Sequence, residues 1–213
     1  MNFKRVFGSV WQQQETLKKR EYKSYEEYAK HQAAKLATLN LDSYNKKFFD
    51  VLVSRLGDLS FVQAGKNVLC LGARTGAECQ AFIKLGCFAV GIDLNPGQKN
   101  SYVVTGDFHN LQYASKSVDI VFTNALDHVF DLDRVLLEIS RVLKPGGSLI
   151  TEIVFGSKDT LHREPGEFES CWWDHSQAVV DKIQANGFSI EARKNFEYPW
   201  NGEQVTFLKN NDV

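Results

Sequence analysis

The chain is poor in paired cysteines, in net charge and in long apolar runs, and each scarcity closes off a class of protein. Four cysteines (Cys70, Cys79, Cys87, Cys171) show no CxxC pair and no cysteine–histidine spacing, so a structural zinc site is not expected. Cys70 and Cys87 sit among apolar neighbours, where a thiol behaves as a small hydrophobe, and a reduced, intracellular setting is expected. A net charge of -1 argues against wholesale binding of nucleic acid. No run of residues approaches the length of a membrane span, and Met1–Arg5 lead into no long apolar stretch. The expectation is a soluble, cytoplasmic protein. Neither an internal repeat nor a low-complexity linker divides the chain. With 213 residues, 43% of them hydrophobic, there is enough for one core, so residues 1–213 are expected to form a single domain.

Charge is less even along the chain than in total. Residues 1–66 carry twelve Lys/Arg against seven Asp/Glu, and the remainder thirteen against nineteen. That split suits either a solvated helical face or a basic cap over an anionic substrate or partner.

Periodicity divides the chain into three parts. The first, residues 1–62, reads as a helical extension. Ser24-Tyr25-Glu26-Glu27 forms a capping box, and Tyr25, Ala29, Gln32, Ala33, Leu36 and Leu39 follow at helical spacing. A second helix fits Tyr44, Phe48, Val51, Leu52, Arg55 and Leu56, with Asp42 or Ser43 as cap and Gly57 as stop. These additions suit a lid or a plain packing layer. The middle part alternates strands near 66–71, 88–93, 101–105, 118–123 and 147–154 with helices near 76–86 and 132–143. Asp131 can cap the second helix, and Lys144-Pro145-Gly146-Gly147 stops it. The last part has a polar loop over 156–170, a helix from Asp174 to Gly187, and runs at 188–193 and 204–209 that suit a closing strand pair. Alternation of this kind implies an α/β fold with a mostly parallel, doubly wound sheet.

In such sheets ligands lie beyond the carboxyl ends of the strands. That edge gathers the turn Gly72-Ala73-Arg74-Thr75-Gly76, then Asp93, Asp107 and Asn124–His128. A glycine turn opening a helix offers free N–H groups, and an acid at the next strand end can accept both hydroxyls of a ribose. An adenosine-containing ligand is therefore expected.

Four segments carry a family resemblance: Val68–Gly76, Gly91-Ile92-Asp93, Gly106-Asp107-Phe108 and Arg141–Gly147, with Ser117–Val121 as a supporting strand. Together and in order, over residues 66–155, they resemble a class I S-adenosylmethionine-dependent methyltransferase of the small stand-alone, type-11-like kind. The resemblance implies a Rossmann-like sheet of seven strands with an antiparallel C-terminal pair, a core over 63–213, and S-adenosyl-L-methionine as cofactor. It also implies that Gly72, Ala73, Arg74 and Gly76 cradle the cofactor. Asp93 would hold its ribose and Asp107 and Phe108 its adenine, with Leu94 and Asn124 also binding the cofactor. Two positions depart from the family pattern, with Cys70 where an acid is usual and Arg74 where a middle glycine is usual.

The same turn and acid occur in nicotinamide-dinucleotide domains, the main rival, although Ala77 stands where a third fingerprint glycine would be. A degenerate adenosyl-binding partner module is a further alternative. For catalysis, a hydroxyl acceptor must lose a proton, and His128 and then Asp127 stand best placed, with His109 behind them. Asp127, Asp131 and Asp133 could gather magnesium, but capping explains Asp131, so no metal is expected. Cys171-Trp172-Trp173 and Pro199-Trp200 are candidates for acceptor-pocket walls, and Tyr22, Tyr25 and Tyr28 for a lid. Thr123-Asn124-Ala125-Leu126 stands where nucleic-acid amino-methylating enzymes carry Asn/Asp-Pro-Pro-Tyr. The expected acceptor is thus a hydroxyl of a small molecule or glycan, with no nucleic-acid or membrane partner.

Overall fold

The computed structural model describes residues 10–38 and 42–210; Met1–Arg5 and Leu39 lie outside them, as do the side chains of Leu36, Asp42, Ser43 and Tyr44. Seven strands form the main sheet: β3 (Asn67–Leu71), β4 (Phe88–Asp93), β5 (Val103–Thr105), β6 (Val118–Thr123), β7 (Leu143–Val154), β9 (Phe188–Phe196) and β10 (Gly202–Lys209). Their spatial order is β5-β4-β3-β6-β7-β10-β9. Strands β3 to β7 pair in parallel, and β10 runs antiparallel to both β7 and β9. The order reverses beside β3, which puts a crevice outside its carboxyl end.

Alternation along β3 explains the two layers. Val68 and Cys70 point to one face and pack with Phe48, Leu52 and Leu56 of α2 (Asp42–Gly57) and Phe82 of α3 (Ala77–Lys84). Leu69 and Leu71 point to the other, with Val135, Leu136 and Ile139 of α4 (Leu132–Val142) and Val179, Val180 and Ile183 of α5 (Gln177–Ala185). Both faces are covered, as central strands with apolar residues on each side require. Asp131 caps α4 by accepting from the Arg134 N–H at 3.1 Å.

The N-terminal part is not wholly helical. A hairpin, β1 (Trp11–Gln14) and β2 (Leu17–Arg20), precedes α1 (Tyr25–Thr38), and β2 pairs antiparallel with β8 (Cys171–Trp173) to make a separate three-stranded sheet. Gln and Lys fill most hairpin positions, so no apolar alternation announces it. Pairing with the buried Cys171–Trp173 supplies what local preference does not. Arg20 locks the hairpin to the 156–170 loop, donating to the Glu169 carbonyl at 2.7 Å and the Gly166 carbonyl at 2.8 Å. Helix α5 begins at Gln177, later than the sequence suggests, because Asp174 is drawn to Lys18 and Lys158 at 2.5 and 2.7 Å.

Helix α1 starts as the capping box requires, Ser24 Oγ accepting from the Glu27 N–H at 3.3 Å. It then crosses the carboxyl ends of the strands. Tyr28 donates to the His128 carbonyl at 3.0 Å, and Asn95 donates to the Ala33 carbonyl at 2.7 Å. Gln32 donates to the Phe168 carbonyl at 2.7 Å and to Ser170 Oγ at 2.9 Å. These four bonds tie one helix to three separate loops.

Candidate functional site

The turn after β3 is built from left-handed backbone. Gly72, Arg74 and Gly76 have φ of 68°, 45° and 90°. A side chain at Gly76 would meet Tyr102 Cβ at 2.8 Å, so only glycine both bends and fits there. Gly91 serves the turn from β4, since a Cβ there would lie 2.7 Å from Ala73 Cβ. Arg74 departs from the glycine pattern, yet its N–H donates to Asp93 Oδ2 at 3.0 Å. Asn95 N–H donates to Oδ1 of the same carboxylate at 2.8 Å. Burial pushes the Asp93 carboxyl up, while those two amides and Arg74 pull it down. An acid fixed by backbone on both oxygens keeps further lone pairs for a diol.

Asp93 lies in a cleft with about 520 Å³ of empty space, open to solvent. Of the residues expected to bind a cofactor, Gly72, Arg74, Asp93, Leu94 and Phe108 line it, and His128 lines it too. The remainder stand elsewhere. Ala73 is buried beneath the turn, and Gly76 sits at the start of α3. Asp107 is taken up internally: Tyr25 donates to its Oδ2 at 2.5 Å, and His109 Nδ1 donates to its Oδ1 at 2.8 Å. Asn124 and Asp127 face a second, smaller cavity of about 190 Å³ shared with Glu152 and Trp200. Asn124 also donates weakly to Glu78, at 3.4 Å, and burial raises that carboxyl to about 7.

Tyr28, expected as a lid residue, and Ala125, within the expected Asn124–His128 edge, line the larger cleft, while sequence reasoning missed Gln32 and Lys35 of α1 and Asn95, which line it too. Tyr28, Gln32 and Lys35 follow one another at steps of four and three along α1, the spacing of one helix face.

The candidate bases have defined partners. His128 is half-buried, with Nδ1 2.9 Å from the Phe168 carbonyl and Nε2 2.7 Å from Lys35 Nζ. A carbonyl can only accept and an ammonium only donate, so Nδ1 carries the proton and Nε2 receives from Lys35. Burial, then Lys35, hold the imidazole well below its usual range. Asp127 is raised to about 7 by burial and by Glu169, against Lys35 and Arg163. His109 is structural: its Nε2 accepts from the Phe130 and Asp131 amides at 3.1 and 3.2 Å.

Asp127, Asp131 and Asp133 do not converge, since Asp131 caps α4 and Asp133 pairs with Lys182 at 2.9 Å. Among the described residues, Asp127, His128 and Glu169 do bring ligand atoms within 4.8 Å of one another. However, Lys35 donates to the His128 nitrogen that an ion would need.

Neither the Trp172–Trp173 pair nor Trp200 lines the cleft at Asp93, although Trp173 and Trp200 line the smaller cavity with Asn124 and Asp127. Trp172 and Trp173 are 0% and 1% exposed, stack with ring centroids 5.5 Å apart, and donate to Ser157 Oγ and the Val154 carbonyl. They became β8, and their bulk belongs to the core. Tyr22, Tyr25 and Tyr28 do gather with His109 and Phe130 in one aromatic cluster beneath α1.

A doubly wound sheet ordered β5-β4-β3-β6-β7-β10-β9, with a glycine turn after β3 and an acid closing β4, defines a class I S-adenosylmethionine-dependent methyltransferase fold. The comparisons agree. Residues 69–151 match the family model described as a methyltransferase domain. It is 34% identical over 131 residues to malonyl-[acyl-carrier protein] O-methyltransferase 1 of Coxiella burnetii, covering 57% of this chain and 44% of the relative. It is 33% identical over 101 residues to demethylmenaquinone methyltransferase of Thermobifida fusca, covering 41% and 43%. These matches span less than half the length of either relative. Among solved structures, it is similar in fold to 1,6-didemethyltoxoflavin-N1-methyltransferase of Burkholderia thailandensis. That structure holds S-adenosylhomocysteine, and the match has a TM-score of 0.66 and 16% identity over 94% of this chain and 99% of the other. S-adenosylmethionine is the cofactor of this class, and the donor set fits it: a diol-ready carboxylate at Asp93 and an apolar wall at Phe108 and Leu94.

Proposed function

We propose that the chain transfers a methyl group from S-adenosylmethionine to an oxygen nucleophile of a small molecule or sugar. The reading rests on Asp93, fixed by the Arg74 and Asn95 amides at the rim of a cleft that α1 closes. Asp93 would take the ribose hydroxyls, and Gly72 lets backbone come close. Phe108 and Leu94 would cover the base, with Asp107 reaching it only if Tyr25 yields. Methyl transfer from a sulfonium needs mainly alignment and exclusion of water. The tie between α1 and three loops supports both. The Coxiella burnetii relative, named as an O-methyltransferase, supports oxygen as the acceptor atom.

Calorimetric titration tests the reading against its rivals. S-adenosylhomocysteine should bind while NADH and NADPH do not. Nicotinamide binding alone would favour an oxidoreductase, and silence toward every ligand would favour a partner module.

A further inference from the structure

The oxygen reading leaves open how the nucleophile is made ready, and the cleft bears on that. A hydroxyl acceptor needs a base with a free lone pair. His128 has none, because Nδ1 donates to Phe168 and Nε2 receives from Lys35. Asp127 faces the other cavity. Asp93 lines the cleft, but the lone pairs its two amide bonds leave are those the ribose diol would take. The Tyr28 hydroxyl donates to the His128 carbonyl, and burial pushes it well above its usual range. Against the single acid Asp93, two cations, Lys35 and Arg74, line the same cleft.

We propose that the acceptor is an ionised carboxylate, gripped by Lys35 and Arg74, and that the product is a methyl ester. The inference rests on the adenosyl reading of the cleft. A carboxylate oxygen supplies the electron pair of the new O–C bond, the C–S bond breaks with its pair going to sulfur, and no proton moves. An ammonium and a guanidinium suit such a group, the latter as a two-pronged donor. Electrostatics agree with the geometry. Burial and then Arg74 lower Lys35 to about 8, while Asp127, Glu169 and Asp93 act in the opposite direction. A carboxylate entering between the two cations relieves their repulsion.

The test measures S-adenosylhomocysteine release with butyrate, octanoate, benzoate and glutarate. Each is run beside its matched alcohol, with calorimetry of S-adenosylhomocysteine and methylthioadenosine in parallel. Acids should be methylated at least about a hundredfold faster than alcohols. Lys35→Met should raise the acid KM about tenfold or more, Lys35→Arg should recover most of it, and both variants should bind S-adenosylhomocysteine within about threefold of wild type. With Lys35 lowered to about 8, kcat/KM for an acid should fall as pH rises through that value. The proposal is overturned if alcohols are preferred, if the rate climbs with pH, or if no acid is methylated. It is also overturned if Lys35→Met weakens S-adenosylhomocysteine but not methylthioadenosine, since Lys35 would then serve the cofactor's own carboxylate. Failure of wild type to bind S-adenosylhomocysteine would instead remove the adenosyl reading beneath it.

Discussion

Replacing Arg55 by methionine should destabilise the protein in a strongly pH-dependent way. Arg55 of α2 and Glu152 of β7 form a buried ion pair, their side chains 8% and 0% exposed. Arg55 also donates to the Tyr198 carbonyl at 2.8 Å and lies 4.1 Å from the Phe196 ring centre. Glu152 Oε2, by contrast, has no hydrogen-bond partner. Burial raises the Glu152 carboxyl from 4.5 to about 7, with Arg55 pulling it down by charge and by hydrogen bond. Ionising it in the fold therefore costs about 3 kcal/mol even with Arg55 present. The sign follows from the raised folded value. Its favourable contribution is complete below the unfolded value and disappears as pH rises through about 7. Without Arg55 the ionised carboxylate has no counter-charge, and breaking such a pair costs about 3–5 kcal/mol near pH 8. Near pH 5 the carboxyl is neutral, and the loss is that of the Tyr198 bond, the ring contact and a hydrogen bond to an uncharged carboxyl, about 2 kcal/mol. Urea unfolding of both proteins at the two pH values measures the difference. An equal loss at both, or a larger one in acid, would refute the reasoning.

Other outcomes follow from single contacts. Gly76→Ala forces a side chain onto Tyr102 at a φ of 90° and should cost about 1–3 kcal/mol by urea unfolding. It should weaken S-adenosylhomocysteine as well, because Gly76 starts α3 beside the cleft; unchanged stability would contradict the strained turn. Trp173→Ala should cost about 3–5 kcal/mol of stability. A change in acceptor KM without loss of stability would restore Trp173 to the pocket. Tyr25→Phe removes the bond to Asp107 and should lower stability by about 1 kcal/mol, with tighter adenosyl binding if Asp107 is thereby released to the base. Unchanged thermal unfolding and unchanged affinity would show that the contact holds nothing closed.

The centre of the main sheet was legible because β3 and β6 are buried on both faces and β4 closes on Asp93. Val68–Leu71 and Val118–Thr123 could hardly be anything else. The β1–β2 hairpin was not legible, since Gln12, Gln13, Lys18 and Lys19 show no burial pattern and owe their strand to Cys171–Trp173, far away in sequence. Trp172 misled for the same reason: paired in β8 it is core, whereas Trp173 and Trp200 line the small cavity beside Asn124 and Asp127. Asp93 could be read from the end of its strand. Lys35 could not, because a lysine on a helix reads as solvated until the helix is seen to cross the strand ends. Asp107 was placed correctly at its strand end, yet Tyr25 and His109 claim its oxygens, and no local pattern reveals a contact across 82 residues.

The most direct measurement is a crystal structure of the protein with S-adenosylhomocysteine. Both ribose hydroxyls should lie within hydrogen-bond distance of the Asp93 carboxylate, with the adenine against Phe108. Ligand density away from Asp93, or a carboxylate that makes only its two backbone bonds beside an occupied cleft, would contradict the account.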